Sequence, residues 1–153
     1  MTQLQDLIQR VGEINESHGF NEYKDIPDEY KKFYIGTKIM LMVTELGEAF
    51  EEIRSGRAPE ETYYPAGPVP ASLAVEFASG VEAQEYWEKS QAEKPGLKKP
   101  EGFPSELADA FIRLLSLAYE IEQAYGVSVN LEEAIYEKIA YNDTRPYKHG
   151  RAF

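Results

Sequence analysis

KIMLMVTELGEAFEEIR, residues 38–54, sets Ile39, Met42, Val43, Leu46, Phe50 and Ile53 at helical steps, with Glu45, Glu48 and Glu52 beside them. With Glu45 at zero on a wheel of about 100° per residue, the apolar set spans roughly 60° to 160°. Lys38, Leu41, Glu45, Glu48 and Glu52 fall between roughly −60° and 20°. An acidic stripe thus borders a core stripe, which is the pattern of an amphipathic helix and not of a strand.

PSELADAFIR, residues 104–113, opens a second helix with the same layout. Leu107, Ala110, Phe111, Leu114, Ala118 and Ile121 share its apolar face, and Glu106 and Asp109 repeat the three-residue spacing at its edge. If the two helices pack through their apolar faces, Glu45, Glu48, Glu106 and Asp109 meet along one seam. Four uncompensated carboxylates would raise one another's pKa and oppose folding. Two divalent cations remove the conflict, and hard oxygen donors suit magnesium, with manganese as the alternative. The bland reading is a solvated acidic helix face. Diiron chemistry is disfavoured, because it needs E-x-x-H motifs and both histidines, His18 and His149, lie outside these helices.

The remaining chain extends the helical reading. Leu4, Leu7, Ile8, Val11 and Ile14 predict a first helix over residues 2–17, with Gly19 as its stop. Asp28 is expected to cap the second helix, closed near Ser55 by Gly56 and Pro59. Ser105 is expected to cap the helix over 106–124, and Asn130 with Glu133 to form a capping pair for a last helix from Leu131 to Asn142, before Pro146. Residues 56–104 hold seven of the nine prolines and read as an irregular insertion, with one or two short helices broken at Gly80. GVSVN is too short to build a sheet. The expectation is one all-α domain over 1–153: a bundle of four to five helices with a proline-rich insertion. The bundle is expected to be completed by oligomerisation, because so few helices would hardly bury this much apolar surface alone.

The chain carries 27 acidic residues against 16 basic ones, a net charge of −11, and no cysteine. That argues against a nucleic-acid partner, excludes thiolate metal sites and suits a reducing cytoplasm. The N-terminus lacks an apolar leader, and the longest aliphatic run, Ile39 to Val43, is far short of a membrane span. We therefore expect a cytoplasmic protein without a membrane anchor.

Near the C-terminus, Lys138 and Asn142 lie four apart on one helix face and Arg145 follows. They could grip phosphate oxygens or simply complement the helix dipole. Tyr63, Tyr64 and Trp87 in the insertion are candidates for contact with a base.

Taken together, TELGEAFEE, PEGFPSELADAFIRLL and KIAYNDTRPYKHG resemble the motifs of the MazG-like all-α nucleoside triphosphate pyrophosphohydrolases. These are relatives of the dimeric dUTPases and of phosphoribosyl-ATP pyrophosphohydrolase. The match runs from Lys38 to Arg54 and from Pro100 to Gly150. The resemblance implies Glu45, Glu48, Glu106 and Asp109 as metal ligands, with Glu45 or Glu48 also serving the attacking water. It implies Lys138, Asn142 and Arg145 as contacts to a nucleoside triphosphate. Lys38, Glu52 and Tyr141 are further candidates. Thr44 stands where the family's first motif often has a glutamate, which points to a smaller shell or to help from Glu52. The implied reaction is magnesium-dependent cleavage between the α and β phosphates by a homodimer or homotetramer. Alternatives are another phosphoanhydride substrate on the same fold, such as a nucleotide-sugar or phosphoribosyl nucleotide, and a catalytically silent interaction module.

Overall fold

The computed structural model describes residues 3–94, 96 and 98–146. Among them it is all-α: α1 (Gln3–Ser17), α2 (Asp28–Arg54), α3 (Ala71–Ala74), α4 (Gly80–Ala92), α5 (Phe103–Tyr125) and α6 (Leu131–Asp143), with a 3₁₀ turn at Tyr23–Asp25. No strand occurs among the described residues, where the sole bridge joins Tyr63 and Glu101. No helix is long and apolar enough to cross a membrane.

The chain forms two compact units. The first draws on α1, α2 as far as Thr44, α5 from Ala110 onward, and α6; the second comprises Glu45–Asp109.

In the first unit Ile8, Leu115, Ala118 and Tyr119 form the core, with Leu4, Val11 and Leu131 packed against them. Removing a side chain such as Leu115 from water contributes roughly 1.5–3 kcal/mol. Gly12 is buried because α1 passes directly over the ring of Tyr119, where a Cβ would sit 2.1 Å from a ring carbon. Tyr23, 2% exposed, packs its ring against Tyr34 and Tyr125 and shares a 2.8 Å hydrogen bond with the Tyr125 hydroxyl. At the end of α5, the Glu122 carboxylate accepts from Gln5 and from the Val129 amide, both at 2.9 Å, which ties the turn into α6 to α1.

In the second unit α2 stops where the sequence puts Gly56. The residue adopts φ +88°, and the amides of Gly56 and Arg57 return to the carbonyls of Ile53 and Glu52. Gly80 opens α4 instead of breaking a helix, and Ser79 caps α4 by accepting from the Glu82 amide at 3.2 Å. The Tyr86 ring lies 5.1 Å from that of Phe77, and the Trp87 indole donates to the Ala66 carbonyl at 2.9 Å.

Four expectations need correction. α2 begins at Asp28 itself, so Asp28 lies inside the helix, where its carboxylate accepts from Lys31 at 2.6 Å. The fifth helix begins at Phe103, so Ser105 lies inside it and does not cap it. The Gly102 carbonyl instead accepts from the amides of Ser105 and Glu106. Asn130 adopts a left-handed conformation, φ 47° and ψ 41°, and makes no side-chain cap. Its Oδ1 accepts from the Ser128 hydroxyl instead. Finally, the apolar faces assigned to α2 and α5 stay largely open: Val43 and Leu46 are 50% exposed, Phe50 63%, and Leu107, Phe111 and Leu114 about 40%. Within the single chain α5 is buried from Leu115 to Glu120, around its whole circumference, so of its periodic face only Ala118 is fully buried.

Candidate metal centre

The centre lies in the second unit, where the last turns of α2 and the first turns of α5 bring their acidic edges together. Glu45, Glu106 and Asp109 each offer a carboxylate oxygen within 4.8 Å of the others. Glu45 is 6% exposed and Glu106 3%, while Asp109 is half-buried. Glu48 is exposed and outside this trio, although its charge acts on Glu106. Of the four carboxylates that the spacing aligned, three converge and one stands beside them.

A fifth acidic group was not singled out by periodicity. Glu101 shares a hydrogen bond with Glu106, which requires a proton between the two carboxyls. Burial, then that bond, then the charges of Glu101, Glu48 and Asp109 push the Glu106 carboxyl up to about 7. Glu101 is held low, first by its 2.6 Å pairing with Lys99 and then by its bond to Glu106, so the shared proton belongs to Glu106. The position of Glu101 comes from the backbone. Tyr63 and Glu101 exchange amide–carbonyl bonds of 3.0 and 2.8 Å, and the next residue, Gly102, takes φ +111° against the Glu61 carbonyl. A Cβ at Gly102 would lie 2.3 Å from that oxygen, so glycine is required at the entry to α5. Glu101 stands five residues before Glu106 and outside the helix, where a helical wheel has no means of registering it.

Glu52 is engaged elsewhere. It accepts from the Tyr63 hydroxyl at 3.1 Å and pairs with Arg57 at 3.2 Å, while the Arg57 guanidinium stacks 3.7 Å over the Tyr63 ring. Tyr63 therefore has one ring face covered, and Trp87 carries Lys94 at 5.0 Å. Tyr64 is 58% exposed.

The other candidates belong to the first unit. Lys38 pairs at 2.9 Å with Glu120, a carboxylate whose side chain is 1% exposed and which also accepts from the Tyr34 hydroxyl at 2.8 Å. Lys138 and Arg145 both lie over the Tyr141 ring, at 5.2 and 6.0 Å, and Asn142 is exposed on the same last turns. Tyr147 to Gly150, the end of the segment that resembles the family's closing motif, lie outside the described residues.

The donor set fits a hard divalent cation. Three carboxylates from two chain segments converge in a largely buried site, and a divalent cation there would offset the burial and like charge that raise Glu106. Comparison with family models, with curated proteins and with solved structures finds no match.

Proposed function

We propose that this protein is a magnesium-dependent nucleoside triphosphate pyrophosphohydrolase. The convergence of Glu45, Glu106 and Asp109 carries the reading, because the two motifs that resemble the MazG-like family supply those residues. In this reading Glu45, Glu106 and Asp109 hold the metal, with manganese as a substitute. The bound ion supplies phosphate-charge neutralisation and a more acidic water. Glu48, exposed beside the trio, orients and deprotonates the attacking water, and Glu45 is its alternative. Water oxygen bonds to the α-phosphorus as the bond to the α,β-bridging oxygen breaks, giving a nucleoside monophosphate and pyrophosphate. Lys138, Asn142 and Arg145 contact the nucleotide, as the resemblance implies.

We further propose that the active form is a homo-oligomer, in which a second copy covers the open faces of α2 and α5. Contiguous apolar surface of this kind marks an interaction site. A cysteine-free chain suits the reducing cytoplasm, where we place the activity.

The test is incubation with magnesium and a panel of ribo- and deoxyribonucleoside triphosphates, followed by anion-exchange separation of products. Monophosphate plus pyrophosphate, abolished by chelator and by Glu106→Gln, is the expected result. Manganese titration of the same variants gives an independent readout, and Glu106→Gln or Asp109→Asn is expected to weaken binding at least tenfold. A folded wild-type protein that binds no divalent ion would overturn the reading.

A further inference from the structure

The second unit also holds a cavity of about 730 Å³, within the range of small-molecule sites. Its charge runs against that of the molecule. Arg57, Lys94, Lys98 and Lys99 line it, with Glu88 as the one carboxylate in the wall, in a chain whose net charge is −11. Arg57 and Lys99 are committed to the acidic residues behind the wall, Glu52 and Glu61 for the first and Glu101 for the second. Lys94 and Lys98 are not. Among the described residues neither forms an ion pair: Lys94 rests over the Trp87 ring, and Lys98 donates to the Ala92 carbonyl at 3.0 Å. Two exposed ammonium groups therefore line one cavity, and among the described residues no carboxylate lies within ion-pairing distance of either.

The wall is joined to the carboxylate centre through one chain of contacts. Lys99 pairs with Glu101, which is hydrogen-bonded to Glu106. Arg57 and Tyr63 hold Glu52, two turns beyond Glu45 on α2. A cation-lined cavity and a site of opposite sign thus belong to one unit and are linked through Lys99 and Glu101. The lining sets these cations and Gln84 and Gln91 beside Tyr63, Tyr64, Pro65 and Ala66, so donors share the cavity with an apolar side.

We propose that this cavity binds the β and γ phosphates of the substrate, with Lys94 and Lys98 as the groups that recognise them; this rests on the pyrophosphohydrolase reading above. Their role is to hold the pyrophosphate leaving group. The electron pair of the breaking P–O bond stays on its bridging oxygen, and nearby cations stabilise that charge as it develops. The same arrangement selects for a substrate that carries phosphates beyond the α position, since a monophosphate leaves the cavity empty.

The probe is inorganic tripolyphosphate, titrated calorimetrically at about 0.15 M salt, where screening limits long-range attraction. The protein is full-length, treated with chelator and desalted, so that the metal centre plays no part. The wild type is expected to bind, the Lys94→Ala/Lys98→Ala variant to bind at least tenfold more weakly, and a Lys24→Ala/Lys32→Ala control to match the wild type. Glu106→Gln is expected to retain binding. No binding by the wild type, or a loss in Lys94→Ala/Lys98→Ala no larger than in the control, overturns the proposal. Absence of nucleotide turnover together with intact tripolyphosphate binding would instead count against the hydrolase reading alone. Thermal melts of each variant establish that it is folded.

Discussion

Lys38 and Glu120 form a part-buried ion pair at 2.9 Å across the first unit, and Glu120 accepts a second hydrogen bond from Tyr34. The Lys38 ammonium also donates to the Phe20 carbonyl at 3.3 Å, so a residue at the start of the first acidic motif is engaged with the fold. Lys38→Met leaves the Glu120 carboxylate buried without its cation; removing one partner of a fully buried pair typically costs about 3–5 kcal/mol, and the partial exposure of Lys38 places the expected loss at or below the lower end of that range. Glu120→Gln in the same background should recover much of that loss, because a neutral amide removes the stranded charge. Urea denaturation of the single and double variants checks both; equal stability of Lys38→Met and wild type would refute the assignment.

Glu106 gives the metal-free protein a pH signature. Its carboxyl is raised from 4.5 to about 7 in the folded state, so the stability it contributes is complete below about 4.5 and is lost as pH rises through 7. The difference between the two protonation states is on the order of 3 kcal/mol. Glu101, held low by Lys99, acts the other way, but its contribution is lost only as pH falls below 4.5. Urea unfolding in chelator at pH 5 and pH 8 should therefore show a smaller pH-dependent loss in Glu106→Gln than in wild type. Identical pH dependence in the two would contradict the raised value. Magnesium should restore wild-type stability at pH 8 and leave Glu106→Gln nearly unchanged, since binding to the folded state alone shifts the equilibrium by mass action.

Two glycines mark close approaches that no side chain tolerates. At Gly12 a Cβ would meet the Tyr119 ring at 2.1 Å, and Tyr119 lies in the core, so α1 has to move away. Overpacking of this kind costs typically 1–3 kcal/mol, and Gly12→Ala should lower the melting temperature accordingly. At Gly102 the obstacle is backbone, the Glu61 carbonyl at 2.3 Å, and φ +111° adds strain for any other residue. Gly102→Ala should disturb the Tyr63–Glu101 bridge and, through it, manganese affinity. A melting temperature and a manganese titration both equal to wild type would show that the entry to α5 does not position Glu106.

Open apolar faces on α2 and α5 predict self-association. Phe50 is 63% exposed and Leu46 50%, on the helix that also carries Glu45. Light scattering at micromolar concentration should give at least a dimer, and Leu46→Glu/Phe50→Glu should shift it to monomer without loss of helical circular dichroism. A wild-type monomer under those conditions would be incompatible with the oligomer we propose.

Local physics was legible in the chain before any coordinates. Periodicity placed α1, α2, α5 and α6 to within a few residues, glycine marked the ends of α1 and α2, and matched offsets singled out Glu45, Glu48, Glu106 and Asp109, three of which converge, because each of these properties depends on neighbours within one or two turns. Capping was read less well. Ser105 and Asn130 have suitable side chains, but the Gly102 turn and the left-handed Asn130 backbone, set by packing around them, decided the helix starts. What only the tertiary structure decided is which partners each charged group keeps. Glu48 stands outside the trio, Glu52 turns to Arg57 and Tyr63, Lys38 goes to Glu120, and Glu101 reaches Glu106 through a backbone bridge to Tyr63. Those pairings join segments that share no sequence period, and burial sets their strength, so they exist only once the chain has folded.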